Sequence, residues 1–305
     1  MKRKVLILLL SCLSCLLLIS FFALSTRAQE TRRVRVAVLD LGQMELGRPA
    51  ADALAASLAQ GAQLGIIDRD QSRAAALGAG YTGSLNMTVE EARNLGAVID
   101  CDFFVTGDAQ NLRRSPSSGP VYYEAYASIY IVSARTGRLI LWDRPSFEAA
   151  TATEAERRLF AQLGGAELRA RYRVAVARAQ EDEAQARALA VLHNAPLIED
   201  APADAEAAEA HGLRLPQPYR RLRPPYPDEA ARVELEATID VEVEIGADGE
   251  VSRVDVVRWA GYGLEAATTE TVRRMHFRPA MRNGSPVAMR VLLRYNFRKP
   301  PKQQQ

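Results

Sequence analysis

The segment Ile239-Asp-Val-Glu-Val-Glu-Ile245 alternates strictly between apolar and acidic residues. This period of two predicts a β-strand with one buried face and one acidic face. Glu242 and Glu244 on the acidic face are interpreted as solvated. Asp248-Gly249 is a tight turn, so residues 251–257 are expected to return beside the first strand. The segment therefore predicts the hairpin on which a small domain is built.

The residues after the hairpin complete an α+β unit. Apolar residues recur at helical spacing from Leu264 to Met275, and residues 287–297 alternate as a last strand. The predicted order is strand, strand, helix, strand. Met289, Val291, Leu293, Tyr295 and Phe297 are expected to face the helix, whereas Arg290, Leu292, Arg294 and Asn296 face outward.

The last strand is predicted to lie at a sheet edge, where unpaired backbone groups accept an extended peptide by strand addition. Its outward residues Arg290, Leu292, Arg294 and Asn296 are therefore the candidate partner-binding residues, and the arginines favour an acidic partner. The alternative is that these arginines, with Pro300 and Pro301, only protect the edge from aggregation.

Four ordered motifs lie within residues 219–298. They are Arg223-Pro-Pro-Tyr-Pro-Asp-Glu-Ala230, Asp248-Gly-Glu-Val251, Val272-Arg-Arg-Met-His-Phe-Arg-Pro-Ala280 and Asn283-Gly-Ser-Pro-Val287. Together they resemble the TonB C-terminal domain family, whose pattern falls here on Tyr226, Pro227, Gly249, Phe277, Pro279 and Gly284. Two local departures are Ala237, where the family often has Gly, and Trp259-Ala260-Gly261, where it often has Ser-Ser-Gly. The resemblance implies a domain that binds a short segment of an outer-membrane transporter or another envelope protein.

The first half of the chain predicts an α/β domain at residues 31–145. Strands are expected at residues 34–40, 64–68 and 102–107, and helices at 48–60 and 88–97. Thr88-Val-Glu-Glu91 predicts a capping box that opens the second helix. A hairpin follows, joining residues 122–132 to 139–142. Val36-Ala-Val-Leu-Asp40, Ile67-Asp-Arg69, Leu95-Gly96 and Cys101-Asp-Phe-Phe-Val-Thr-Gly107 resemble the periplasmic α/β domain of the curli secretion protein CsgG, which implies the fold and not a pore.

Residues 146–218 are predicted to connect the two domains. Residues 151–193 are rich in Ala, Glu, Arg and Gln, which favours one helix, or two broken at Gly164-Gly165. Residues 195–218 contain four prolines and an acidic Ala-rich stretch, which is typical of a linker. The two domains are therefore expected to fold independently, and residues 299–305 are expected to be a disordered tail.

The N-terminus, residues 1–28, predicts export from the cytoplasm. Lys2, Arg3 and Lys4 precede an apolar run over residues 5–24, and small residues lead to Ala28. The segment is either a signal peptide cleaved after Ala28 or an inner-membrane anchor with its basic end in the cytoplasm. Both interpretations place the remainder in the periplasm.

Composition excludes several classes of function. The 305 residues carry a net charge of +2, so charge predicts no nucleic-acid partner. With only 3 cysteines, two of them in the apolar N-terminus, neither a disulfide framework nor a Cys-based metal site is expected. No nucleophile, base and oxyanion set is recognisable, so the chain is predicted to be neither an enzyme nor a cofactor-binding protein.

The residues that could bind a ligand or a metal, or take part in catalysis, can all be explained by structural roles. Gly78-Ala-Gly80-Tyr-Thr-Gly83 follows a predicted helix instead of a strand and is expected to be a plain loop. Cys101 is expected to be an inert core thiol. No histidine has a ligand-spaced partner, and Asp68-Arg69-Asp70 is expected to cap a helix. Arg273, Arg274, Arg278 and Arg282 either offset a helix dipole or contact an anionic partner such as peptidoglycan.

Two functions remain open at this point. One is a TonB-like energy transducer that works with an inner-membrane proton-channel complex. Residues 5–24 contain no acidic, basic or histidine side chain, and intramembrane charge would be expected for such coupling. The other is a periplasmic scaffold or assembly factor without energy transduction.

Overall fold

The computed structural model describes residues 33–61, 63–192, 198–202, 205–210 and 212–299. The predicted signal or anchor at residues 1–28, together with His193, His211 and residues 300–305, lies outside this part of the chain. Within it, no helix combines the length and apolar character that crossing a bilayer requires.

The first lobe is built on a six-stranded sheet. Its strands are β1 (Val34–Leu41), β2 (Leu64–Ile66), β3 (Phe103–Arg114), β4 (Tyr122–Ser133), β5 (Leu139–Asp143) and β6 (Ser146–Ala149). The order is β2-β1-β3-β4-β5, and β6 also pairs with β4. β1 and β3 run parallel, whereas β3, β4 and β5 are antiparallel neighbours. The predicted strands and hairpin are therefore present, with β3 longer than expected.

Five helices cover this sheet. They are α1 (Gly47–Ala59), α2 (Arg69–Gly78), α3 (Val89–Ile99), α4 (Ala152–Leu163) and α5 (Ala166–Leu192). The capping box expected before α3 is formed, since the Thr88 hydroxyl accepts from the Glu91 N–H and the Glu91 carboxylate accepts from the Thr88 N–H. α1 and α4 pack on strands β3 and β4, and the break between α4 and α5 falls at the predicted glycines.

The C-terminal lobe has the predicted order. Strand β10 (Ala237–Ile245) pairs with β11 (Val251–Arg258), helix α8 (Leu264–Arg273) follows, and β15 (Met289–Phe297) returns beside β10. Its short elements are β7 (Glu199–Asp200), α6 (Ala205–Ala210), β8 (Leu213–Arg214), β9 (Gln217–Pro218), α7 (Asp228–Arg232), β12 (Phe277–Arg278), β13 (Ala280–Arg282) and β14 (Ser285–Val287). The main sheet has the order β11-β10-β15-β7.

The six family-pattern residues hold turns and the core of this lobe. Gly249 and Gly284 have φ of +83° and +87°, a region that glycine enters without strain. Phe277 is buried, and its N–H donates to the Gly249 carbonyl at 2.9 Å. The Tyr226 hydroxyl donates to the Leu235 carbonyl at 2.6 Å. Pro227 precedes α7, and Pro279 separates β12 from β13.

The segment predicted as a linker is largely part of the two lobes. In α4, Ala155, Leu159 and Leu163 form a buried stripe at i, i+4 and i+8, so an Ala/Glu/Arg-rich helix packs on the first sheet. Further along, β7, β8 and β9 pair with β15, β13 and β12. The prediction of a free linker is corrected here. Short strands pair through their backbone groups, so this segment joins the lobes although it has few large apolar side chains.

The predicted separate cores are also corrected. Residues from Arg35 onward form one compact unit. One apolar cluster contains Leu39, Phe104 and Tyr130 of the first lobe together with Ile239 and Trp259 of the C-terminal lobe. The lobes therefore bury apolar surface against each other, which supports a shared core. The boundaries 31–145 and 219–298 stay predictions.

Candidate functional site

The outer edge of β15 is the candidate binding site. β10 pairs with β15 over its whole length, from Met289 to Phe297. On the opposite side, β7 pairs only with Met289 and Arg290. Among the described residues, nothing pairs with residues 291–297 on this side. Seven residues of the predicted edge are therefore open.

The backbone groups that face this open edge can be assigned. The N–H of Ala201 donates to the Arg290 carbonyl at 2.7 Å, so the Arg290 carbonyl points toward β7. Along a strand, successive residues direct their backbone groups to alternate sides. Leu292, Arg294 and Asn296 therefore direct their N–H and C=O groups to the open edge. These three candidate residues from the sequence therefore offer their backbone N–H and C=O groups to a partner at the open edge.

One end of the edge already carries a strand from the chain itself. β7 runs parallel to β15, with Glu199 opposite Met289 and Asp200 opposite Arg290. Its two carboxylates bind arginines of the same lobe, Glu199 with Arg282 at 2.5 Å and Asp200 with Arg290 at 3.1 Å. An acidic segment thus pairs in extended form at the edge, a contact that the linker prediction missed.

The arginines on the outer face of the sheet are paired with β10. Arg294 donates two hydrogen bonds to Asp240, at 2.7 and 2.9 Å, and Arg290 binds Glu244 at 2.9 Å. Burial by itself would raise the pKa of the Asp240 carboxyl, but hydrogen bonds from Arg294 and Arg258 lower it overall. Cross-strand carboxylates therefore neutralise these arginines within the lobe, and the preference for an acidic partner stays a prediction.

Leu292 and Asn296 complete the outer face. Leu292 is 56% exposed, one of the few large apolar side chains on the described surface with that exposure. Asn296 accepts a hydrogen bond from the Thr238 hydroxyl at 2.9 Å. In the inner row, Val291, Leu293, Tyr295 and Phe297 share an apolar cluster with Leu264 and Val272 of α8, as predicted. Met289 differs from this prediction, because it is buried in a second cluster with Leu213 and Ala280. The edge thus offers backbone groups and one apolar contact.

Where the C-terminal lobe meets the first lobe, Asn86 of the first lobe closes the start of β10 and the loop at Trp259. The Asn86 amide nitrogen donates to the Thr238 and Trp259 carbonyls at 2.8 and 2.9 Å. Its amide oxygen accepts from the Thr238 N–H at 3.1 Å. One side chain therefore occupies the backbone groups at the start of β10.

Trp259 is the apolar centre of this closed side. Its side chain is 1% exposed, and its ring lies 5.8 Å from that of Tyr130. The indole N–H donates to the Gly137 carbonyl, and the backbone N–H donates to the Met87 carbonyl, at 2.9 and 3.0 Å. A large aromatic side chain is thus buried with its polar group satisfied.

The residues after Trp259 continue the contact. The Tyr130 hydroxyl donates to the Ala260 carbonyl at 2.9 Å, and the hydroxyls of Ser128 and Tyr262 lie 2.7 Å apart. Trp259-Ala260-Gly261 is the segment that departs from the family pattern. A tryptophan at a position where the family pattern often has serine is the sequence signal for this contact, which is therefore more than a local departure.

Glu265 supports the same loop from α8. One oxygen of its carboxylate accepts from the N–H groups of Ala260 and Gly261, at 2.6 and 2.7 Å. Burial raises the pKa of the Glu265 carboxyl more than these hydrogen bonds lower it. A cavity of about 460 Å³ lies beside this residue, between β5 and β11.

The remaining sequence candidates have structural roles. Asp68 caps α2 by accepting from the Gln71 N–H at 2.9 Å, and Arg69 pairs with Asp40 and Asp52. Gly78 ends α2, so the glycine-rich stretch follows a helix. Burial raises the pKa of the Cys101 thiol to about 12, which keeps it protonated. Within the described residues, no three His, Cys, Asp or Glu side chains are grouped to hold a metal.

Comparison with known families identifies the C-terminal lobe. Residues 223–298 match the family described as Gram-negative bacterial TonB protein C-terminal. The match confirms the resemblance predicted for residues 219–298 and covers about a quarter of the chain. No curated protein matches the chain.

Solved structures give weaker similarities. The C-terminal domain of Pseudomonas aeruginosa TonB is 20% identical, with 30% of this chain and 90% of that chain covered and a TM-score of 0.25. The hypothetical protein CT253 from Chlamydia trachomatis is 13% identical, with 43% and 93% covered and a TM-score of 0.31. The LpoB C-terminal domain from Salmonella enterica is 14% identical, with 41% and 90% covered and a TM-score of 0.28. These TM-scores are too low to support an argument from shared structure.

Proposed function

We propose that this chain is a periplasmic, non-catalytic cell-envelope protein whose C-terminal lobe binds an extended segment of another envelope protein. The segment adds as a strand to β15 along residues 291–297. The observation that carries the proposal is the open edge, because unpaired N–H and C=O groups of an edge strand bind extended peptides. The family match at residues 223–298 supports an outer-membrane transporter as the partner.

The scaffold function is favoured over energy transduction by the position of the helical segment. A transducer needs a spacer that carries its binding domain away from the rest of the protein. Here Glu183 of α5 binds Ser133 at 2.5 Å and Arg135 at 2.8 Å on the first lobe. Glu199 is held on β15. Both ends of the segment are thus attached within one compact unit. We therefore propose a scaffold or assembly factor, in which the CsgG-like resemblance of the first lobe stays a prediction.

Peptide titration into the full chain tests strand addition. The probes are synthetic peptides covering the periplasm-facing N-terminal segments of the outer-membrane transporters found in the same cell. Two variants are compared, Leu292→Pro and Leu292→Ala. Both remove the leucine side chain, but only proline also removes the N–H at the edge, and an edge strand tolerates proline there.

Leu292→Pro is expected to bind about tenfold more weakly than Leu292→Ala, because it loses one edge hydrogen bond and distorts its neighbours. Equal affinity of two folded variants would refute strand addition. If the wild-type chain binds none of the peptides, the proposed partner class is wrong.

A further inference from the structure

A basic cleft lies in the C-terminal lobe beside the end of α8. Its volume is about 600 Å³. It is lined by Arg220, Arg221, Leu222, Arg223, Thr271 and Arg274. All four arginines are exposed. The sequence indicated a cluster at Arg273, Arg274, Arg278 and Arg282. The fold places three further arginines beside Arg274 and leaves Arg282 outside the cleft, paired with Glu199.

The chain brings the two groups together through β9. Pro218 pairs with Phe277, and the Tyr219 N–H donates to the His276 carbonyl at 3.0 Å. The next residues must therefore pass the C-terminal end of α8, where Arg273 and Arg274 lie. The proximity of Arg274 to Arg220, Arg221 and Arg223 is a consequence of this pairing.

These arginines have almost no acidic partners in the protein. Among the described residues, Arg220, Arg221 and Arg223 form no ion pair, and Arg274 has one weak pair with Glu270 at 3.8 Å. The arginines on the sheet face of the same lobe differ, since Arg290 and Arg294 bind carboxylates at 2.7–3.1 Å. The helix dipole supplies only about half a negative charge at its end. The cleft therefore holds an excess of positive charge that an anion from outside would neutralise.

The chemistry of the cleft favours phosphate. The planar guanidinium donates in a fork that matches phosphate oxygens. Nothing from a β-strand lines the cleft, so a peptide would find no backbone edge to pair with. Tyr219 next to the cleft is 68% exposed, and Arg278 lies 5.7 Å from its ring centre. Exposed tyrosines beside basic residues are typical of the membrane–water boundary.

We propose that this cleft binds the phosphate groups of anionic phospholipids and docks the C-terminal lobe on a membrane surface. The site is separate from the β15 edge, so lipid binding does not depend on the peptide function proposed above. Each basic residue near an anionic membrane contributes roughly fivefold to binding at low salt.

The test uses the full chain with two kinds of vesicle, pure phosphatidylcholine and phosphatidylcholine with phosphatidylglycerol. The cleft variant is Arg220→Ala, Arg221→Ala and Arg223→Ala combined. The control variant removes three exposed helical arginines elsewhere, Arg93→Ala, Arg178→Ala and Arg187→Ala, and has the same net charge. All three proteins keep residues 1–32, so membrane insertion by that segment contributes equally to each.

The preference for phosphatidylglycerol vesicles is expected to fall on the order of 100-fold in the cleft variant and less than about threefold in the control. Equal losses in the two variants would show a general charge effect and overturn the proposal. So would equal binding of the wild type to both vesicles. Polyglutamate and inorganic phosphate serve as further probes. Binding of either without binding to phosphatidylglycerol vesicles would assign the cleft to an acidic protein or a free anion instead.

Discussion

The Trp259 loop and the β15 edge belong to the same small lobe but differ in how their backbone groups are used. On the loop side, carbonyls of Thr238, Trp259 and Ala260 all accept hydrogen bonds from side chains of the first lobe. On the β15 side, residues 291–297 pair with β10 on one side and have no strand partner on the other among the described residues. The backbone of the loop is thus satisfied within the protein, whereas the outer side of β15 is available.

The difference shows how a binding domain becomes part of a larger fold without losing its edge. Burial of Trp259 supplies apolar contact, and the polar groups around it are satisfied, so the closed side adds stability. An open edge adds no such stability, and it exposes the protein to unwanted strand pairing with other chains. Keeping the edge open while closing the loop side is consistent with a binding role for β15.

The largest expected effect is on the closed side. Trp259→Ala should lower the free energy of unfolding by about 3–5 kcal/mol, because it empties a buried aromatic site and leaves the Gly137 carbonyl without its donor. Denaturant unfolding of the full chain measures this. Tyr219→Ala, at a 68% exposed position, is the control and should change stability by less than about 0.5 kcal/mol. Similar effects of the two substitutions would contradict the shared core.

Gly137→Ala should cost about 2–4 kcal/mol. Gly137 has φ of +70°, and an added Cβ would lie 1.9 Å from the Val89 carbonyl oxygen, so backbone must move where the lobes meet. Gly80 is a matched control, since its φ is +76° and nothing lies within 4 Å of its added Cβ. Gly80→Ala should therefore cost only about 1 kcal/mol. Thermal unfolding of both variants is the measurement. A larger loss for Gly137→Ala would show that the steric contact with Val89, and not the positive φ, causes the destabilisation, and equal losses would contradict this.

Glu265 makes the closed side sensitive to pH. The pKa of its carboxyl is raised in the folded protein by burial, so the folded state holds the proton more tightly than the unfolded chain. Stability from this residue is therefore fully present below the ordinary carboxyl pKa and is lost as the pH rises through the raised value. Glu265→Gln keeps an acceptor for Ala260 and Gly261 but cannot ionise. Relative to this variant, the wild type should lose stability between acidic and neutral pH, and parallel pH profiles would contradict the assignment.

The smallest effect is expected on the open side. Leu292→Ala should change the free energy of unfolding by less than about 0.5 kcal/mol, because the side chain is 56% exposed and its backbone faces the open edge. Chemical denaturation is again the measurement. A loss of more than about 2 kcal/mol would mean that this edge is part of the folded core and not available to a partner.

Much of the fold follows from local patterns in the sequence. The alternation at residues 239–245, the Thr88 capping box and the Asp248-Gly249 turn each depend on the chemistry of a few neighbouring residues. These elements are present as predicted. The edge position of β15 was predicted correctly for residues 291–297 only, because β7 pairs with Met289 and Arg290 on that side.

The connection between the lobes was not predictable in the same way. Its prolines and alanines indicate a linker, yet Glu199 and Asp200 pair with β15. Two residues carry too little apolar periodicity to be recognised as a strand. Their partner Arg290 lies 90 residues away, so only the folded chain shows the pairing.

The sequence by itself determined the strand and helix order of the C-terminal lobe, the α/β character of the first lobe and the family of residues 223–298. The tertiary structure decided which backbone groups of that lobe are closed and which remain open. The reason is that local patterns specify a strand through its own residues, whereas closure depends on distant partners. Asn86 and Trp259 are separated by 173 positions, and their hydrogen bond forms only when the two lobes pack together.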